Sequence, residues 1–135
     1  MLTNDLARRS ILIVEHEPLI ALDIAALCEK AGARTMIAGS PKKAIDVVKA
    51  DGLSAAVIEC GSPNARTDDL CNELEERGIP FVLHCTCPNG ELAFAGSIVV
   101  PKPAAPGELV NALVRAMNQH VEHSPAPRPW PRFAK

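Results

Sequence analysis

Short apolar runs alternate with helically spaced apolar stripes along this chain. Ser10-Ile-Leu-Ile-Val-Glu15 is a continuous, β-branched run that stops at a charge, the pattern of a strand buried on both faces. Pro18 suits a first helical position. Ile20, Ile24, Leu27 and Ala31 then recur at helical spacing, with Asp23, Glu29 and Lys30 on other faces and Gly32 as the stop. Thr35 to Ala38 predicts a second strand. Ser40-Pro41 is an N-cap followed by proline in the first turn, and Ala44, Val47 and Val48 form the stripe of a second helix that Asp51-Gly52 ends. Ala55 to Ile58 predicts a third strand, terminated by Glu59. Thr67 caps a third helix, with Asp68 and Asp69 in its first turn, Leu70 and Leu74 inward and Gly78 as the stop. Pro80 to Cys85 holds a fourth strand and Ser97 to Val100 a fifth. Between them, Glu91 to Ala95 has room for one or two helical turns. Pro101-Lys102-Pro103 forces an extended turn, and Pro106 opens a last helix with Leu109, Ala112, Leu113, Ala116 and Met117 on one face.

Strands alternating with helices predict an α/β fold: a five-stranded parallel sheet, doubly wound, with helices on both faces. In such sheets the working site lies beyond the carboxyl ends of the strands. Those ends are Glu15-His16, Glu59-Cys60, Cys85-Thr86 and Pro101-Lys102, a dense set of charged and soft polar groups.

Composition narrows the class. The chain has 135 residues, 47% of them hydrophobic, enough for one ordinary domain with its own core. Lys+Arg of 14 against Asp+Glu of 16 gives a formal charge of −2, which argues against a general nucleic-acid binder. Aromatics are 3% and Tyr is absent, so base-stacking platforms and aromatic cages are not expected. No apolar run approaches the roughly 20 residues of a membrane helix, and residues 1–10 lack a signal-peptide pattern. The expectation is a cytoplasmic protein whose five cysteines are thiols. Residues 1–9 read as an N-terminal extension and 10–121 as the domain. Residues 122–135 read as a flexible tail with four prolines, net positive through Arg128, Arg132 and Lys135 against Glu122. The tail is either a solvated terminus or a docking segment anchored by Trp130.

Ile-Leu-Ile-Val-Glu-His-Glu-Pro-Leu-Ile (11–20), Ala-Val-Ile-Glu (56–59), Gly-Ile-Pro-Phe-Val-Leu (78–83) and Pro-Lys-Pro (101–103) together resemble the receiver domain of two-component response regulators. The resemblance covers about residues 10–120. It implies the CheY-like, flavodoxin-like strand order 2-1-3-4-5, here with a reduced fourth helix, and a Lys102-Pro103 peptide that is cis. It also implies a signalling module rather than an enzyme, a histidine kinase or other signalling protein as partner, and a possible homodimer; from charge and hydropathy, no nucleic acid or membrane partner is expected. The family's chemistry is attack on phosphorus by an aspartate after the third strand. Mg²⁺ assists, held by an acidic pair after the first strand, with a Thr or Ser after the fourth and a Lys after the fifth.

By that resemblance Glu59 stands at the phosphoacceptor position, and Glu15 and His16 at the acidic pair. Cys85, Thr86 and Lys102 stand at the phosphate-contact positions. Only Lys102 matches fully, while the first acid is present as Glu15. His16 replaces a hard oxygen with imidazole, Glu59 is one methylene longer than Asp, Cys85 is a weak hydrogen-bond partner, and Thr86 is bulkier than the very small residue preferred there. The expectation is a stand-alone, atypical receiver with impaired Mg²⁺-dependent phosphorylation, in which Glu59 pairs with Lys102. One alternative is a working phosphorelay receiver that accepts phosphate at Glu59. A second is a metal or redox sensor built on Cys60, Cys85 and Cys87 with His16, although Cys-Thr-Cys is not a common metal spacing. A Cys60–Cys85 or Cys85–Cys87 disulfide is disfavoured for a cytosolic chain. His84 should alternate away from Cys85. Cys28 and Cys71 fall on helical stripes and read as core.

Overall fold

The computed structural model describes residues 5–50, 52–60, 67–86, 98–105 and 107–123. Five strands, β1 (Ser10–Val14), β2 (Arg34–Ala38), β3 (Ala55–Cys60), β4 (Phe81–Cys85) and β5 (Ile98–Pro101), form one parallel sheet in the order β2-β1-β3-β4-β5. The described helices are α1 (Pro18–Lys30), α2 (Pro41–Lys49), α3 (Asp68–Glu76) and α4 (Glu108–His123). The expected turns at Glu91 to Ala95, and with them the reduced fourth helix, lie outside the described residues. So do Cys87 and the tail from residue 124.

The period-2 alternation of each strand divides the core into two layers. Ile11, Ile13, Val57, Val82 and Val100 face one side, with Ile24 and Cys28 of α1 and Leu109, Leu113 and Met117 of α4. Leu12, Val14, Ala56, Ile58, Cys60, Leu83 and Cys85 face the other, with Val48 of α2 and Leu70, Cys71 and Leu74 of α3. With both faces covered, the central strands are apolar along most of their length rather than alternating, up to Glu59 and His84 near their carboxyl ends.

Local signals act as expected at several points. Pro18 and Pro41 open their helices, and Ser40 Oγ accepts the Lys43 N–H at 3.2 Å. Thr67 occupies the cap position of α3 without a side-chain cap hydrogen bond. The Lys102-Pro103 peptide is cis. The buried face of α1 is Ala21, Ile24, Ala25 and Cys28, and Ile20 and Leu27 are only partly buried. β3 runs on through Glu59 and Cys60, past the Ile58 boundary expected from hydropathy, because β4 supplies ladder partners: Glu59 pairs with His84 and Cys60 with Cys85.

The segment before β1 is part of the core. Leu6 is fully buried, its N–H donates to Ala31 O at 2.9 Å, and Arg34 N–H donates to Arg9 O at 2.9 Å. Gly32, at φ +102°, lets this segment approach: a Cβ there would sit 2.9 Å from Ala7 Cα. Among the described residues no helix is long and apolar enough to cross a membrane.

Candidate functional site

The carboxyl ends of β1, β3 and β5 bring four side chains together. Glu15 and His16 follow β1 directly, Glu59 is the penultimate residue of β3, and Lys102 follows β5. Parallel pairing of β1 with β3 places the β1 exit beside Glu59, so residues 43 apart in sequence meet.

Glu59 is the hub. Its Oε1 accepts the backbone N–H of His16 at 2.9 Å. The His16 ring Nδ1 lies 2.8 Å from Oε1 and 2.6 Å from Oε2. Lys102 Nζ donates to Oε2 at 3.3 Å. Glu15 is buried almost completely. Its Oε1 lies 3.0 Å from Lys102 Nζ as an ion pair rather than a directed hydrogen bond, and its Oε2 accepts the Glu17 N–H at 3.1 Å. Two carboxylates, one ammonium and one imidazole thus share a cluster in which the His16 ring alone is well exposed, at 61%.

The charges reinforce each other. Burial pushes the Glu59 carboxyl up, but the His16 ring and backbone hydrogen bonds and the Lys102 charge outweigh it, and the net shift is downward. The hydrogen bond to Glu59, then its charge, raise His16 above its ordinary 6.5. Glu15, His16 and Glu59 also bring three potential ligand atoms within 4.8 Å of one another.

The expected Glu59–Lys102 pair is therefore present, and the stronger His16–Glu59 pair is the partner sequence reading missed. No local pattern signals that pair, because it depends on the β1–β3 register. Thr86 is exposed, and its N–H donates to Cys60 O at 3.3 Å. His84 does alternate away from Cys85. It is buried at 4% exposure with no hydrogen-bond partner on either ring nitrogen, and burial first, with the Lys102 charge, pushes it down to about 4.

The expectation that all five cysteines are thiols is corrected at two of them. Cys60 and Cys85 form a disulfide, at ladder-paired positions of β3 and β4 with Cα atoms 4.6 Å apart. Adjacent strands at matched register hold their Cβ atoms on one face at bonding reach, which outweighs the compartment argument drawn from composition. The bond also takes both sulfurs out of the expected metal set. His16 joins the carboxylates instead, and Cys87 lies outside the described residues. Cys28 and Cys71 are buried thiols, each pushed up to about 12 chiefly by burial.

No protein-family model and no curated protein matches the sequence. Solved structures do match by shape. The CheY-like response regulator receiver domain protein of Methanospirillum hungatei JF-1 superposes with a TM-score of 0.74 at 16% identity, covering 86% of this chain and 98% of that one. A sensor protein from Polaromonas sp. JS666 gives 0.73 at 24% identity, covering 84% and 98%. The receiver domain of a sensor histidine kinase from Pseudomonas aeruginosa PAO1, solved with magnesium in its active-site cleft, gives 0.69 at 21%, covering 83% and 99%. With the observed strand order and the two-sided helical cover, the chain has the fold of response regulator receiver domains, the CheY-like architecture.

Proposed function

We propose that this chain is a receiver-type signalling module of a two-component or phosphorelay system that works by protein–protein contact, its Mg²⁺-dependent phosphorylation impaired. The carrying observation is the state of Glu59: both carboxylate oxygens are engaged, by His16 and by Lys102. A nucleophilic carboxylate must present a free lone pair to phosphorus while a metal neutralises the incoming charge. Here the His16 ring and the Lys102 ammonium already hold both Glu59 oxygens.

Mg²⁺ does not fit this donor set. It favours an octahedron of hard oxygens, and His16 offers nitrogen in place of the second acid, on a ring already bonded to Glu59. The extra methylene of Glu59 pushes its carboxylate into the space that metal and phosphoryl group would share. The role that remains is recognition by a histidine kinase or another signalling protein. The exposed Leu19 and Leu22 on α1, close to the site in sequence, suit such a contact.

The test is intact mass after incubation with Mg²⁺ and a small-molecule phosphodonor, beside an ordinary receiver domain. No adduct is expected. A Mg²⁺-dependent adduct mapped to Glu59 would replace this reading with that of a working phosphorelay receiver.

A further inference from the structure

The Cys60–Cys85 pair occupies a place that none of the proposed signalling chemistry uses. It crosslinks the last residues of β3 and β4. Each half is one peptide link or one hydrogen bond from the site. Cys60 follows Glu59 in the chain, and Cys85 O accepts the Lys102 N–H at 2.8 Å. Both cysteines belong to the packed layer that contains Val14, Ile58, Leu70 and Leu83. Cys85 is fully buried and Cys60 retains 3% exposure.

Register makes the bond available without rearrangement. Ladder partners in adjacent strands keep both Cβ atoms on one face, and a Cα separation of 4.6 Å lies within the range disulfides span. Opening the bond moves the sulfurs apart to a van der Waals contact. A close-packed layer does not absorb that displacement locally. It reaches the β3 and β4 ends, and with them the Glu59 and Lys102 backbones. The other two described cysteines, Cys28 and Cys71, are free thiols on helices with no partner sulfur.

We propose that Cys60 and Cys85 are a reversible dithiol–disulfide pair, oxidised by hydrogen peroxide and reopened by dithiols, whose state sets the geometry of the Glu59–Lys102–His16 cluster. In the forward direction the Cys60 thiolate, the less buried of the two, attacks one peroxide oxygen. An S–O bond forms, the O–O bond breaks and hydroxide leaves, taking up a proton as water. The Cys85 sulfur then attacks the Cys60 sulfenic sulfur. The S–S bond forms, the S–O bond breaks, and the thiol proton leaves with the hydroxyl as a second water. One peroxide is reduced by the two electrons that the two thiols lose. Reopening is two successive thiol–disulfide exchanges, in which the dithiol reductant becomes a cyclic disulfide. Burial selects small oxidants over bulky ones such as glutathione disulfide. This chemistry stands whether or not Glu59 accepts phosphate.

The test uses the full chain. Protein held in dithiothreitol is desalted, divided, and exposed or not to hydrogen peroxide at slight molar excess. Both portions are then unfolded and alkylated with iodoacetamide. The reduced portion should carry a label on Cys60 and Cys85. The oxidised portion should lack those two labels, yield a linked 60–85 peptide, keep labels on Cys28 and Cys71, and recover both missing labels after dithiothreitol under native conditions. In parallel, the His16 ring is titrated by NMR in each state. The two curves should differ in wild type and coincide in Cys60→Ala/Cys85→Ala, or in Cys85→Ser should the double variant not fold. Peroxide-treated protein with both sites still alkylated would overturn the proposal. So would a linkage that native dithiothreitol cannot open, which would make the bond a permanent brace, or His16 curves that coincide in wild type.

Discussion

The ring Nδ1 of His16 lies 2.6 Å from Oε2 of Glu59, and the backbone N–H of the same histidine donates to Oε1 at 2.9 Å. One residue thus holds a carboxylate by both of its oxygens. The arrangement puts an imidazole where a receiver of the ordinary pattern would present a second acid. Its consequences are measurable.

The first concerns titration. Glu59 raises His16 above 6.5, and His16 with Lys102 lowers Glu59 below its ordinary 4.5 despite burial. Both partners are charged in the window between those two values. The contribution from His16 is present below pH 6.5 and is lost as pH rises through the raised value. That from Glu59 is present above pH 4.5 and is lost as pH falls through the lowered one. In Glu59→Gln the His16 ring, followed by NMR, should titrate lower, back toward 6.5. An unmoved titration would mean that the contact does not form in solution.

His84 predicts acid sensitivity of a different origin. It is buried without a hydrogen-bond partner, and burial, with Lys102 adding and Glu59 and Glu108 opposing, takes it from 6.5 down to about 4. The unfolded chain therefore binds a proton that the folded chain refuses between those values. Stability is full above about pH 6.5 and falls as pH drops toward about 4. Urea midpoints measured across that interval should decline, and His84→Leu should flatten the decline. An equal slope in the variant would assign the acid effect to other groups.

Reversing the site departures tests the proposed impairment of phosphorylation. His16→Asp restores a hard oxygen, Glu59→Asp withdraws the carboxylate by one methylene, and Cys85→Thr restores a hydroxyl while removing the crosslink. The triple variant should acquire a Mg²⁺-dependent phosphoadduct on residue 59, read by intact mass. A folded triple variant that stays unmodified would place the defect elsewhere, with Thr86 as the next position to change.

The leading segment carries a stability prediction. Leu6 is fully buried, so Leu6→Ala should cost about 2–5 kcal/mol, the range for large-to-small core changes. Gly32→Ala should be destabilising by at least ~1 kcal/mol, since φ +102° disfavours a side chain and the new Cβ would meet Ala7 Cα. Chemical denaturation reads both. A neutral Leu6→Ala would return residues 5–9 to the status of a loose extension.

What the sequence alone determined was whatever rests on local periodicity. Short apolar runs marked all five strands to within a residue or two, most clearly the inner β1, β3 and β4, whose two covered faces favour apolar residues at nearly every position; β2, at the sheet edge, is largely exposed. The α4 stripe of Leu109, Ala112, Leu113, Ala116 and Met117 is buried as its spacing requires, and Ser40 caps α2 because its hydroxyl accepts a first-turn N–H. The strand ends, and so the neighbourhood of the site, followed from the same runs. Tertiary structure decided which groups there touch. The His16–Glu59 pair needs the β1–β3 register, and the Cys60–Cys85 bond needs the β3–β4 register. Neither register is written in any one segment's hydropathy. Hydropathy ended β3 at Ile58, and only the neighbouring strand's ladder carries it on to Cys60. Leu6 is one apolar residue in a polar stretch with no period to reveal it, and it becomes core only because Gly32 lets its segment close over the end of α1. Period is a property of a segment and is visible along the chain. Contact is a property of pairs of segments, and it exists only once the sheet has assembled.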